Sequence, residues 1–274
     1  MKKMKITGFA LLSLLIGTNV FGQSGSTEHL SVPLSSPGKP YSLKVQLLMG
    51  SIKVSSYDGK EILINATPRN SVEEKPKVTD NGMKKISAPG GYEVTAKEAD
   101  NTVTVNAGNF SKTVDLDLKI PQDVKLNIGT VNNGEIIAEN VKGELEINNV
   151  NGKITLTNIS GSVVANTVNG SITVTFSSVD PKAPMAFSTL NGDVNVTLPS
   201  DTKANLKLKS DMGEVFTDFD IDIDKTPSKA DKTTEPGMYK ITKDDWINGK
   251  INGGGPEIIV KNMHGSINVK KAGK

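Results

Sequence analysis

The sequence predicts an all-β chain built as a β-solenoid, a β-helix-like stack of short strands turning at Asn-Gly corners, and three observations predict it. Glycine recurs every nine residues, at Gly134, Gly143, Gly152, Gly161 and Gly170. Apolar residues stand two and four places after each glycine, the period of a strand with one face buried and one wet. A third apolar residue stands seven places after it, in the sets Ile136/Ala138/Val141, Leu145/Ile147/Val150, Ile154/Leu156/Ile159 and Val163/Ala165/Val168.

Self-similarity at a short fixed period is the mark of stacked copies of one small unit. The three-residue step to the last apolar position implies a corner after which the chain points inward again. Asn140, Asn149 and Asn158 stand just before that corner and a glycine follows two residues after it. Both residue types tolerate positive φ, as a tight corner requires. A strand of about five residues spans roughly 17 Å, so two nines make one flattened coil of eighteen residues. The wider intervals from Gly170 to Gly192 and from Gly192 to Gly213 suit similar coils with extra loop residues. A β-sandwich of hairpins is the competing arrangement, because Asn-Gly is also a strong hairpin dipeptide.

Residues 1–22 have the order of a secretory signal peptide: Lys2, Lys3 and Lys5, an apolar run from Phe9 to Ile16, then small residues up to a cleavage point after Gly22. The apolar run is short for a membrane span. Residues 23–40 are rich in Ser and Pro and read as a flexible lead-in. Residues 41–128 alternate less regularly and read as an N-terminal β region or cap, including an early copy of the repeat at Gly50-Ser51-Ile52-Lys53-Val54. A solenoid needs caps because an open terminal coil presents unpaired strand edges. Within this part Pro68 to Lys85 is polar and unpatterned, as a loop or insertion is. Residues 129–218 are the repeat solenoid and 219–245 an acidic, polar insertion. Residues 246–274, with Trp246 and the run Asn252-Gly253-Gly254-Gly255-Pro256, read as a C-terminal coil and cap.

The chain has no cysteine, which excludes a disulfide framework, a thiolate metal site and a lipidated cysteine anchor. A net charge of +2 gives no electrostatic case for nucleic acid. At 4% aromatic residues the chain is a poor platform for stacking sugars.

The leader, the segment Ile120-Pro121-Gln122-Asp123-Val124-Lys125-Leu126, the Val150-Asn151-Gly152 and Val168-Asn169-Gly170 turns, and Asn252-Gly253-Gly254-Gly255-Pro256-Glu257-Ile258 together resemble a bacterial family. It is the exported β-strand-repeat family of unknown function with an adhesin-type label, and this chain is similar to members from Bacteroidetes. The resemblance covers most of the chain after the leader. It implies a β-helix-like fold in the cell envelope and brings no catalytic residues with it.

Specific chemistry is thinly represented. Nonapeptide β-rolls hold calcium through a recurring Asp at the glycine turn, whereas the turns here carry Asn, Lys or Ser, short of the six to eight oxygen ligands calcium takes. Asp211, Glu214, Asp218, Asp220, Asp222 and Asp224 form a richer cluster, and on a continuous strand the last four would share one face. A solvated acidic edge that discourages aggregation is the plainer role for them. Paired carboxylates for sugar cleavage would have to converge on a groove. Glu135, Glu144 and Glu146 point outward, but the equivalent places hold Lys153, Ser162 and Ser171, the drift of an ordinary surface. His29 falls in the lead-in and His264 at a repeat turn, both as surface residues, and Trp246 reads as a lid on the terminal coil or as an anchor for a partner. The recurrent Asn residues read as a structural corner ladder.

The sequence therefore predicts no catalytic, cofactor-binding or metal residues and no cofactor. It points to a non-enzymatic exported protein of a Gram-negative envelope, in the periplasm or on the outer surface. Its role would be a structural or adhesive surface, with a cell-surface glycan or an envelope protein as partner and no membrane span after leader cleavage. The alternatives are a carbohydrate-active lyase or hydrolase on a β-helix scaffold, and an envelope signalling or stress partner.

Overall fold

The computed structural model describes residues 27–69, 92–107, 112–224, 230–235, 238–243 and 245–273. The leader and most of the Pro68 to Lys85 segment lie outside the described residues.

The chain is a two-faced β-solenoid, each coil contributing one strand to a broad face and one to a narrow face. Eighteen residues separate stacked equivalents in the regular part. Lys142–Asn149 runs parallel to the second half of the strand Ile154–Asn169, with Leu145 beside Val163. Ile136, Ile154 and Ile172 stack on the narrow face with the same step. Parallel pairing of this kind needs a crossover between the strands and excludes the hairpin sandwich, whose neighbouring strands would run antiparallel.

The core is a double layer of inward aliphatics between the two faces. Leu43, Leu126, Leu145 and Val163 form one column of the broad face, and Ile52, Ile136, Ile154 and Ile172 form one of the narrow face. All eight are buried. Phe176 and Phe187 meet edge to face with centroids 6.5 Å apart, an arrangement that favours the ring quadrupoles.

Stacking order differs from chain order at both ends. The coil made by Tyr41–Met49 and Ile52–Ser56 lies inside the stack, between Thr102–Ala107 with Val114–Ile120 on one side and Val124–Asn132 with Ile136–Glu139 on the other. The coil made by Glu257–His264 and Ile267–Lys271 slots between Met185–Asn191 with Val194–Leu198 and Ala204–Ser210 with Val215–Thr217. The interval from Gly192 to Gly213 is thus not a coil step, as its length suggested, because Gly265 lies between the two.

Antiparallel strands close both faces at the near end and the broad face at the far end. Val94–Ala99 covers Thr102–Ala107 on the broad face, while Glu28–Pro33 and Glu61–Pro68 extend the narrow face beyond Val114–Ile120. The lead-in thus contains a strand. Val32 and Leu34 are buried, and Pro33 ends the strand at an edge, where a missing N–H costs no ladder bond. At the far end Ile247–Ile251 and Ile221–Ile223 add antiparallel strands to the broad face. Ala230–Glu235 and Met238–Lys243 pair as a separate two-stranded hairpin.

The two corners of a coil are not equivalent, although the nine-residue spacing makes them look alike. After a narrow-face strand, Asn140 and Asn158 adopt φ of 58° and 57°, and Val141 and Ile159 turn inward and are buried. After a broad-face strand the alternation simply continues. Asn149 and Thr167 are the buried residues, Val150 is half-buried, and Val168, expected inside, is exposed.

Candidate functional site

The corner that follows the broad face carries two polar ladders that run from coil to coil. On its inner side a side-chain ladder joins each coil to a glycine carbonyl of the coil before it. Thr130 Oγ1 donates to Gly50 at 2.8 Å, Asn149 Nδ2 to Gly134 at 3.1 Å and Thr167 Oγ1 to Gly152 at 3.1 Å. The series continues with Thr189 to Gly170 at 2.8 Å, Asn262 to Gly192 at 2.7 Å and Ser210 to Gly265 at 2.8 Å. Buried carbonyls left alone would cost about 1–3 kcal/mol each, so the ladder completes the corner.

At three glycines of this column close packing, not torsion, makes the demand, while Gly50, Gly192 and Gly265 have φ of 128°, 140° and 135°. Gly134, Gly152 and Gly170 are not among the positive-φ residues, yet a Cβ on any of them would run into the glycine carbonyl of the neighbouring coil. Only hydrogen fits where backbone passes so close to backbone.

On the outer side of the same corner Asn132, Asn151, Asn169 and Asn191 form an exposed ladder. Each amide nitrogen donates to the preceding amide oxygen at 2.8 Å. His264 takes the next place in that column, opposite Asn191. A second Asn pair stands at the other corner, where Asn158 Nδ2 donates to Asn140 Oδ1 at 2.6 Å.

Arg69 binds this corner from outside. Its Nε pairs with Asp115 Oδ2 at 2.6 Å, Nη1 donates to the Asn133 carbonyl at 2.6 Å, and Nη2 donates to Ser51 Oγ at 2.8 Å. One planar guanidinium thereby ties three coils together, a use of its fork geometry that lysine would not reproduce. It is the chain's one arginine, and the sequence pattern gave no hint of its role.

The acidic cluster does not assemble as a strand face. Phe219 is buried at a bend, which separates Asp218 from the short strand Ile221–Ile223. Asp218 Oδ1 accepts the Lys271 backbone N–H at 2.7 Å, Lys271 Nζ lies 5.3 Å from the Phe219 ring centroid, and Asp222 stands opposite Lys250. Asp211 pairs with Lys209 at 3.3 Å. Among the described residues no three His, Cys, Asp or Glu side chains converge closely enough to hold a metal ion.

The outward glutamates are each engaged by a neighbouring coil. Glu135 pairs with Lys153 at 3.5 Å, Glu144 with Lys125 at 3.7 Å, and Glu146 accepts from Asn127 Nδ2 at 2.8 Å. Exposed pairs of this kind contribute about 0–1 kcal/mol. Ser162 stands beside Glu144 in the register and Lys153 lies one coil from Ser171 on the narrow face. His29 Nδ1 lies 2.7 Å from Asn65 Oδ1 on the edge strand. Trp246 is half-buried, with Lys207 Nζ 4.9 Å from its ring centroid. Next to it Lys209 reaches Asp245 at 2.6 Å; this hydrogen bond raises the Lys209 pKa and holds the Asp245 carboxyl below its ordinary range.

Two shallow grooves lie on the broad face. One of about 630 Å³ is lined by Asn205, Lys207, Asp222, Asn248, Lys250 and Glu257. The other, of about 580 Å³, crosses the coils beside Lys44, Lys125, Asn127, Glu144 and Glu146.

The profile of the family described as Toastrack DUF4097 matches residues 42–270. The chain belongs to that family. The match runs from the first solenoid strand nearly to the last, so the intercalated coils at both ends are part of the family's unit. No curated protein matches the sequence. Among solved structures, the chain is similar to a candidate cell adhesion protein from Clostridium sporogenes at 13% identity and a TM-score of 0.42, over 90% of this chain and all of the other. A candidate adhesin from Bacteroides fragilis aligns at 10% identity and a TM-score of 0.29, over 90% of this chain and 97% of that one. No helix among the described residues is long and apolar enough to cross a membrane.

Proposed function

We propose that this member of the Toastrack DUF4097 family is an exported, non-enzymatic protein of the Gram-negative envelope, working as a structural or adhesive surface. The observation that carries the reading is the outer side of the narrow face in its middle coils, a patch of short neutral side chains held in register between the Lys53–Glu139 pair at one end and Lys270 at the other. Thr155, Thr173, Asn195 and Asn268 follow one another across four coils, about 4.8 Å apart, and Thr175 stands beside Thr197 in the adjacent row. Such a field contacts a partner through many weak hydrogen bonds spread over an area, and suits a cell-surface glycan or an envelope protein. The leader-like residues 1–22 supply the export part of the reading.

The test is retention of envelope glycans and envelope proteins on the immobilised chain lacking residues 1–22. A variant with Thr155, Thr173 and Thr197 changed to Lys should lose what the parent retains. Equal retention by both, or none by the parent, would sink the reading.

A polysaccharide-cleaving reading draws on the groove of about 580 Å³ that Glu144 and Glu146 both line. It requires new reducing ends or unsaturated products from a polysaccharide panel, lost in Glu144→Gln and Glu146→Gln.

A further inference from the structure

One column of the broad face is apolar on its outward side. Leu48, Val131, Val150, Val168, Leu190 and Met263 occupy the same register position in six consecutive coils. Val150 is half-buried and the other five are each 37 to 40% exposed. The ridge runs roughly 24 Å at the ordinary spacing of strands. Isolated surface aliphatics are commonplace, whereas a continuous line of them marks a contact surface. The ridge stops at the next coil, where Met263 gives way to Asp211.

We propose that this ridge is where a second copy of the chain docks, the two ridges lying against each other in opposite directions about a two-fold axis between the Val150 and Val168 coils. The proposal is independent of the adhesive reading. Repetition makes the strip complementary to its own reverse, as an isologous contact requires. Val150 meets Val168, Val131 meets Leu190, and Leu48 meets Met263. On the corner side Asn151 meets Asn169 and Asn132 meets Asn191, and an amide carries both donor and acceptor.

Charge fits as well. The ridge and the rows on its two sides contain no carboxylate over these six coils. Lys261 and the imidazole of His264 fall opposite neutral Gln46 and Met49 when the copy is reversed, so no like charges meet. The next row, Lys44, Asn127, Glu146, Val164, Ala186 and Ile259, forms the rim, where reversal sets Glu146 opposite Val164 and Lys44 opposite Ile259, and with it the strip covers on the order of 600 Å² per copy. Stable pairs bury about 800 Å² per partner, so this dimer is a reversible one that forms with rising concentration.

The absence of cysteine permits a direct test in the full chain without its leader. Leu48→Cys and Met263→Cys are prepared separately, mixed and mildly oxidised. The expected result is a disulfide-linked dimer in the mixture and none from either variant alone. A linked dimer from Leu48→Cys alone, or a yield in the mixture no greater than from Thr155→Cys with Thr197→Cys on the opposite face, overturns the proposal. Sedimentation from micromolar to near-millimolar concentration is the second measurement. The parent should grow in mass with concentration, and Leu190→Lys should associate at least about tenfold more weakly. A parent that stays monomeric throughout overturns the proposal. Val168→Lys replaces Leu190→Lys if the latter loses its β-sheet circular dichroism.

Discussion

Replacing Gly152 by Ala isolates the steric demand of the glycine column. Gly152 is not among the positive-φ residues, so alanine pays no torsional penalty there and only space decides. Its Cβ would run into the carbonyl of Gly134, which is backbone and cannot swing aside as a side chain can. Overpacking a filled interior costs about 1–3 kcal/mol, and a backbone obstacle places this site at the upper end, about 3 kcal/mol. The loss of chain freedom in the unfolded state returns about 0.4–1 kcal/mol. The net loss is about 2 kcal/mol, which for a domain of this size lowers the melting temperature by about 4–8 °C. Gly253 is the matched control. It has φ of 85° with nothing within 4 Å of its absent Cβ, so Gly253→Ala should lose only the torsional cost of about 1–2 kcal/mol, and Gly253→Asn should recover much of it. Thermal melts followed by circular dichroism make the comparison. A Gly152→Ala protein that melts within a degree of the parent would refute the close-approach account of the column.

Thr167→Val keeps the shape of the inner ladder but leaves the Gly152 carbonyl without its 3.1 Å donor; urea titration should show a loss of about 1 kcal/mol. Arg69→Ala removes the bond between coils at the first glycine corner and should lower stability by about 1–2 kcal/mol in low salt, less in high salt, because the Asp115 pair is partly exposed and screened. Tyr41 is buried, donates to the Pro121 carbonyl at 2.7 Å, and burial pushes its pKa upward. The folded state therefore holds the phenol proton more tightly than the unfolded state does. The resulting stability is intact below pH about 10 and falls as pH rises above it. Melting temperatures measured from pH 8 to 11.5 should drop at the alkaline end, and Tyr41→Phe should flatten part of that drop.

The coil was legible because stacking in register forces each outward, inward and corner position to recur, and eighteen-residue recurrence survives in the sequence between Gly134 and Gly170. Alternation alone does not separate the two corners. Strict alternation through Leu145 and Ile147 lands on Asn149, and through Val163 and Ala165 on Thr167. The three-residue step to Val150 and Val168 implies a corner there, whereas the alternation runs on and the inward Asn149 and Thr167 side chains bond to a carbonyl of the neighbouring coil. At Asn140 and Asn158 positive φ inserts a residue and reverses the parity, and nothing in an alternation pattern distinguishes these corners from the others. Stacking order was out of reach, because periodicity reports what each coil is like and not which coil it lies upon. The acidic cluster meets the same limit: four aspartates at alternate positions share a face only on a continuous strand, and the bend at Phe219 interrupts it.

The intercalated C-terminal coil also sets a timetable for the chain. Ala204–Ser210 and Val215–Thr217 rest against Glu257–His264 and Ile267–Lys271, strands that come later in the chain. Until those strands emerge, one end of the stack has a gap that no earlier part of the chain occupies. The stack closes only when the coil of Glu257–His264 and Ile267–Lys271 is in place, and a chain cut before that coil is left with a missing middle floor.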